Sequence, residues 1–245
     1  MAINYRSLDR TIRQSYVEFL KYFNLALKQN KIVSKYFKSN QHNAELYEKI
    51  RAIEKKSNLL YGQIYELIAW NISKEQPVNN HLNFFLSLLN SLKDIERICD
   101  INYNICKITK NITKWNKIFH HVFQLHEESD VCLEKMHQLF SQNPHHTSTV
   151  CFRSCQKLQK SFHEKYAKTL AVIANDYFES IVSHLLQNQD KEKLVPKQNF
   201  GVQLSLISKQ IERKIDHCLN IIENFYWINH RNDENKILDR ETTNK

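Results

Sequence analysis

Glycine and proline are nearly missing from this chain of 245 residues, which holds two of the first and three of the second. Tight turns draw on glycine for positive φ and on proline for a fixed φ. A chain so short of both can close few hairpins, whereas long helices need neither, so the predicted class is all-α. No apolar run approaches the roughly 20 residues that span a bilayer. The opening residues, Met1-Ala2-Ile3-Asn4-Tyr5-Arg6, lack the apolar core of a secretory signal. None of the six cysteines (Cys99, Cys106, Cys132, Cys151, Cys155 and Cys218) belongs to a C-x-x-C pair. That argues against a zinc knuckle or thioredoxin-type site. Most fall at apolar helix positions as small hydrophobes, the usage of a reducing compartment. The expectation is a soluble, cytoplasmic protein. Nucleophile elbow, P-loop, dinucleotide fingerprint and zinc-protease motif are all missing, so an enzyme has no support in the sequence.

Charge is plentiful and unbalanced. Lys and Arg number 35 against 26 Asp and Glu, a formal net charge of +9. Such an excess can attract nucleic acid, anionic lipid or phosphate. No basic run reaches the length of an arm, and dense places such as Glu54-Lys55-Lys56 sit inside helical patterns. The excess is read as solvated helix faces, with no nucleic-acid partner.

Apolar residues recur at helical spacing almost throughout. A first helix is predicted from about Ser7 to Lys38, burying Ile12, Val17, Phe19, Leu20, Phe23 and Leu27. After Ser39-Asn40-Gln41, a second runs from about Asn43 to Ile72 on Leu46, Ile50, Ile53, Leu60, Ile64, Leu67 and Ile68. Gln76-Pro77-Val78 restarts the chain, because proline suits a first turn and opposes helix just before it. A third helix follows from about Val78 to Ile112 on Leu82, Phe85, Leu89, Leu92 and Ile105. The second half repeats the plan. One helix spans about Lys114 to Phe140, with Ile118, Val122, Leu125, Leu133, Met136 and Leu139 inward, and Ser141-Gln142-Asn143-Pro144 ends it. The next spans about Thr147 to Leu186, then comes a polar stretch through Lys191 to Pro196. The last spans about Gln198 to His230 on Leu204, Ile207, Ile211, Ile215, Cys218, Ile222 and Phe225. The tail from Arg231 to Asn235 is expected to fray. Two tandem three-helix bundles follow, over residues 1–112 and 113–245, elongated because a 30-residue helix is about 45 Å long.

An internal duplication carries the chemistry. The run Lys93-Asp94-Ile95-Glu96-Arg97-Ile98-Cys99-Asp100-Ile101-Asn102-Tyr103-Asn104-Ile105 aligns with Lys209-Gln210-Ile211-Glu212-Arg213-Lys214-Ile215-Asp216-His217-Cys218-Leu219-Asn220-Ile221. Each copy falls on the third helix of its half. Glu96, Asp100 and Asn104 stack along one face at i, i+4, i+8, as do Glu212, Asp216 and Asn220. Neighbouring carboxylates repel, and more so when desolvated; a hard cation reverses that sign. A single Glu-x-x-x-Asp is commonplace and usually a solvated face beside an arginine such as Arg97 or Arg213. The duplication with its flanks favours a functional reading.

Other clusters carry less. Glu134-Lys135-Met136-His137 has the Glu-x-x-His spacing of di-iron bundles, but no second such pair exists, which disfavours a di-metal oxygen-using bundle. His120, His121, His126, His145 and His146 lack carboxylates at matching spacing and are read as surface residues. Cys151 and Cys155 share a face and are read as packing. Trp70, Trp115 and Trp227 fall at helical spacing and are read as core.

The run Glu75-Gln76-Pro77-Val78-Asn79-Asn80-His81-Leu82, leading into Leu92-Lys93-Asp94-Ile95-Glu96-Arg97-Ile98-Cys99-Asp100, resembles the first signature of the PhoU family. The second copy, Ile211-Glu212-Arg213 through Asp216-His217 and Asn220-Ile221, resembles the family's C-terminal signature. The resemblance implies two three-helix bundles, with multinuclear iron or zinc bound by Glu96, Asp100, Glu212 and Asp216. Asn104 and Asn220 would then support the ligands from behind. It further implies a homodimer that regulates phosphate uptake by docking on the ATPase subunit of a phosphate ABC transporter and, where one exists, on a phosphate sensor kinase. The chain departs from the family where Cys99 and Ile215 replace a glycine, whose loss should crowd the facing helix. Acids are also sparse where the second helix of each half should face the motifs, in Gly62-Gln63-Ile64-Tyr65-Glu66 and Asn175-Asp176-Tyr177-Phe178-Glu179. The competing expectation is a basic helical scaffold or nucleic-acid-associated protein with no phosphate role.

Overall fold

The computed structural model describes residues 5–39, 42–110, 112, 117–142, 148–186 and 194–242, without the side chains of 5, 180–181, 183–199 and 229–242. These residues form six helices and no strand: α1 (Tyr5–Lys38), α2 (Ala44–Glu75), α3 (Asn79–Thr109), α4 (Lys117–Ser141), α5 (Thr149–Leu186) and α6 (Leu194–Thr242). The all-α prediction holds, as does the number of helices among the described residues.

Helix ends follow local chemistry. Asn43 caps α2, its side chain accepting from the Leu46 N–H at 3.0 Å. An Asn43→Ala change should lower stability by about 1 kcal/mol, measurable as a shifted urea midpoint. The second helix outruns its predicted end at Ile72 because Gln76 takes the left-handed conformation (φ 47°) and returns its N–H to Ile72, just ahead of Pro77. Glu75 in that last turn is then drawn onto α1, where it accepts from Ser7 Oγ at 2.9 Å and Thr11 Oγ1 at 3.4 Å. Helix α6 corrects two expectations. It starts at Leu194 with Pro196 in its first turn, where the missing N–H costs nothing. It also runs to Thr242 through the tail expected to fray, a segment with neither glycine nor proline to stop it.

Helices α1, α2 and α3 pack on one another, as do α4, α5 and α6; α3 against α6 and α1 against α4 join the two groups. Near one end of that seam five rings meet: Tyr16, Phe19, Phe84, Phe140 and Phe225. Most predicted core residues are buried, including Ile12, Phe19, Phe23, Ile50, Phe85, Leu92, Val122, Leu133 and the full stripe of α6 from Leu204 to Phe225. Val17 is an exception at 48% exposed, because the buried stripe of α1 passes through its neighbour Tyr16. Trp70 is likewise exposed, correcting its assignment to the core, and Trp115 lies outside the described residues. All six cysteines are free and buried.

Candidate metal centre

Both acidic motifs lie on helices that pack against the second helix of their own group, α3 against α2 and α6 against α5. In the first copy Glu96 and Asp100 are part-buried, one turn apart. Burial, then the Asp100 charge, pushes the Glu96 carboxyl up, while Arg97 opposes. Arg97 lies 3.5 Å from Asp100 Oδ2 and 3.8 Å from Glu96 Oε2. It supplies the positive charge that a cation would otherwise bring. The acid that α2 turns towards this pair is Glu54, whose charge adds to the push on Glu96. Glu66, in the segment where a facing acid was sought, is exposed.

The second copy is assembled differently. Among the described residues, His163, Glu212 and Asp216 are the one group of three His, Cys, Asp or Glu side chains whose ligand atoms all lie within 4.8 Å of one another. His163 reaches across from α5, its Nε2 3.0 Å from Asp216 Oδ1 and 3.7 Å from Glu212 Oε1. Gln159, one turn earlier, donates to Asp216 Oδ1 at 2.6 Å. Lys209 donates to Glu212 Oε2 at 2.6 Å. Glu212 is buried, Asp216 and His163 partly so. One imidazole nitrogen and two carboxylates, each with an oxygen turned to a common point, suit iron or zinc better than magnesium or calcium. The donor set fits such an ion. Arg213, the counterpart of Arg97, makes no ion pair among the described residues.

Asp176 and Glu179 of α5 are exposed and Asn175 with them, so the facing position is Gln159 and His163, several turns earlier. The signal available in the sequence was that i, i+4 polar pair flanking buried Phe162. Asn104 is exposed, and no hydrogen bond joins it to the first motif among the described residues. Asn220 turns away from its motif to Asp94 Oδ1 at 3.4 Å, beside a hydrogen bond of 2.8 Å between His217 Nδ1 and Asp94 Oδ1 that ties α6 to α3. At the first lost glycine Cys99 is fully buried opposite small Ser57, which also bonds Tyr22 at 2.8 Å.

The remaining clusters resolve simply. Glu134 pairs with Lys31 at 2.6 Å while His137 packs on Phe23, so the Glu-x-x-His pair does not converge. His120 is exposed, His145 and His146 lie outside the described residues, and His126 is fully buried, which corrects its surface assignment. None of the described helices is long and apolar enough to cross a membrane.

Comparison with known proteins agrees with the architecture. A family model for the PhoU domain matches residues 19–109. The chain is 26% identical over 232 residues to the uncharacterized protein MG409 homolog of Mycoplasma pneumoniae, covering 93% of this chain and 96% of that one. It is 27% identical over 229 residues to the uncharacterized protein MG409 of Mycoplasma genitalium, covering 92% and 96%. Among solved structures, PhoU from Pseudomonas aeruginosa superposes with a TM-score of 0.74 at 15% identity, covering 90% of this chain and 97% of that one. The phosphate transport system regulatory protein PhoU from Streptococcus pneumoniae gives 0.71 at 19% identity, covering 90% and 96%. Residues 19–109 thus match the PhoU domain, and the chain shares the fold of solved PhoU structures over nine-tenths of its length.

Proposed function

We propose that this protein regulates phosphate uptake from the cytoplasmic side of a phosphate ABC transporter. It would dock on the ATPase subunit and restrain transport when phosphate is plentiful, with a sensor kinase as a second partner where one exists and a homodimer as the working form. The match of residues 19–109 to the PhoU domain carries this reading. Groups α1–α3 and α4–α6 are taken as the two repeats of the regulator. Deleting the gene should raise phosphate uptake and intracellular phosphate; unchanged uptake and phosphate would sink the proposal. Steeply salt-dependent nucleic-acid binding by the purified protein would favour the scaffold reading instead.

Metal belongs to the same proposal. Glu212 and Asp216, joined by His163, hold iron or zinc, while Glu96 and Asp100 are compensated by Arg97 and bind far more weakly. Metal-free protein titrated with zinc by calorimetry should take up one tight equivalent per chain. His163→Ala should weaken that site about 100-fold, and Asp100→Asn should leave it unchanged. Equal zinc binding by the native chain and His163→Ala would remove His163 from the site.

A further inference from the structure

Helix α2 packs on α1 and α3 and buries Ser57, Ile64, Ile68 and Asn71. Its opposite face carries Leu59 and Trp70, which are 69% and 66% exposed. Their separation is about three turns, so the two side chains stand in one line, roughly 16 Å apart along the axis. Apolar residues scattered singly over a surface are ordinary. A leucine and a tryptophan in register on one uncovered helix face are not scattered.

Lysine flanks both. Lys55 and Lys56 precede Leu59 by one turn, and Lys74 follows Trp70 by one turn. From Lys55 to Lys74 the exposed charges of α2 are these three lysines and Glu66. Lys55 and Lys56 make no ion pair among the described residues. Lys74 lies 3.2 Å from Glu75, whose carboxylate is turned onto Ser7 of α1. The helix therefore presents a basic apolar stripe on a chain whose net charge is already +9.

We propose that this face of α2 lies on the surface of an anionic lipid bilayer, with Leu59 and Trp70 entering the headgroup layer and Lys55, Lys56 and Lys74 on lipid phosphates. An indole suits that depth, because its body is apolar and its N–H stays within reach of polar groups. Lysine can lay its stem along the apolar layer and keep its ammonium among the phosphates. The choice of lysine also favours lipid over a protein partner. Arginine is the residue for a fixed, forked pairing with a carboxylate, and none occurs on α2 after Arg51. A point charge on a flexible stem suits anions that move laterally. The contact is peripheral, since no described helix can cross a membrane, and reversible, since neither two apolar side chains nor three lysines hold a protein firmly alone.

Co-sedimentation of the full chain with lipid vesicles tests the assignment. Vesicles with about one-third phosphatidylglycerol should bind at least about tenfold more tightly than pure phosphatidylcholine, and salt of about 0.5 M should remove most of that difference. Leu59→Glu with Trp70→Glu, and separately Lys55→Glu with Lys56→Glu, should each weaken binding to the anionic vesicles about tenfold, with unchanged thermal unfolding because all four side chains are exposed. Phe178→Glu, at an exposed ring on α5, should leave binding as it is. The anionic vesicles should also shift the native tryptophan emission to the blue, and Trp70→Phe should lose most of that shift while still sedimenting. Failure to bind anionic vesicles, equal binding to neutral ones, or native-like binding by either double variant overturns the proposal. So does an equal loss in Phe178→Glu or a full blue shift in Trp70→Phe. The vesicles hold no transporter and the readouts need neither phosphate nor metal, so a negative result here leaves the proposed function standing.

Discussion

Replacing Asp130 with alanine is expected to destabilise the protein by about 3–5 kcal/mol near pH 6.5, and by clearly less at pH 9. The carboxylate is the one acid bearing on the Lys214 charge, and it accepts from both Asn30 and Ser34. Burial raises the pKa of Asp130, against the bonds from Ser34 and Asn30 and the Lys214 charge. Without it, two donors and a buried ammonium lose their partner together. An unpaired buried charge usually dominates such a loss, since desolvation is no longer offset by attraction. The pH dependence separates the charge from the hydrogen bonds. Above about 7 Lys214 can become neutral, and the part of the loss due to its charge fades. Thermal unfolding followed by circular dichroism at the two pH values reads both parts. At pH 6.5 the midpoint should fall by about 10 °C for a chain of this size. A loss of equal size at both pH values would mean that the charge is not what Asp130 compensates.

Phe225→Ala should cost a similar amount for an unrelated reason. The ring is 1% exposed and lies 4.8 Å from Phe140, 5.6 Å from Phe19, 5.7 Å from Phe84 and 6.3 Å from Tyr16, centroid to centroid. It therefore joins α6 to α1, α3 and α4 at one point. Deleting it forfeits transfer energy and leaves a cavity whose lining belongs to four helices and cannot collapse easily, for a cost of about 3–5 kcal/mol. This loss should be independent of pH between 6.5 and 9. Phe178→Ala is the internal control: that ring is 66% exposed, so its removal should change stability by no more than about 0.5 kcal/mol. Chemical unfolding of the three proteins compares them directly. A Phe225→Ala midpoint matching that of Phe178→Ala would show that the aromatic cluster does not hold the seam.

Much of this molecule was legible in its residues. Scarcity of glycine and proline left helix as the available architecture, and the three prolines each fall at a predicted break. The stripe of α6 from Leu204 to Phe225 was readable residue by residue, since a period of 3.6 fixes which positions share a face. The same rule places Glu212 with Asp216 and Glu96 with Asp100. Periodicity failed where two neighbouring positions compete, as with Tyr16 and Val17. It failed too at Trp70, which falls at helical spacing yet is exposed.

The sequence by itself determined the helices, their breaks, the faces they bury and the two matching acidic turns, because each depends on residues within a few positions of one another. Only the tertiary structure decided that His163 meets Glu212 and Asp216, that Arg97 rather than a facing acid attends Asp100, and that Lys214 lies buried against Asn30 and Asn102. Those pairings depend on the axial offset between helices far apart in the chain. That offset is set by side-chain interlocking across the seam, for which the spacing of residues along one helix holds no information.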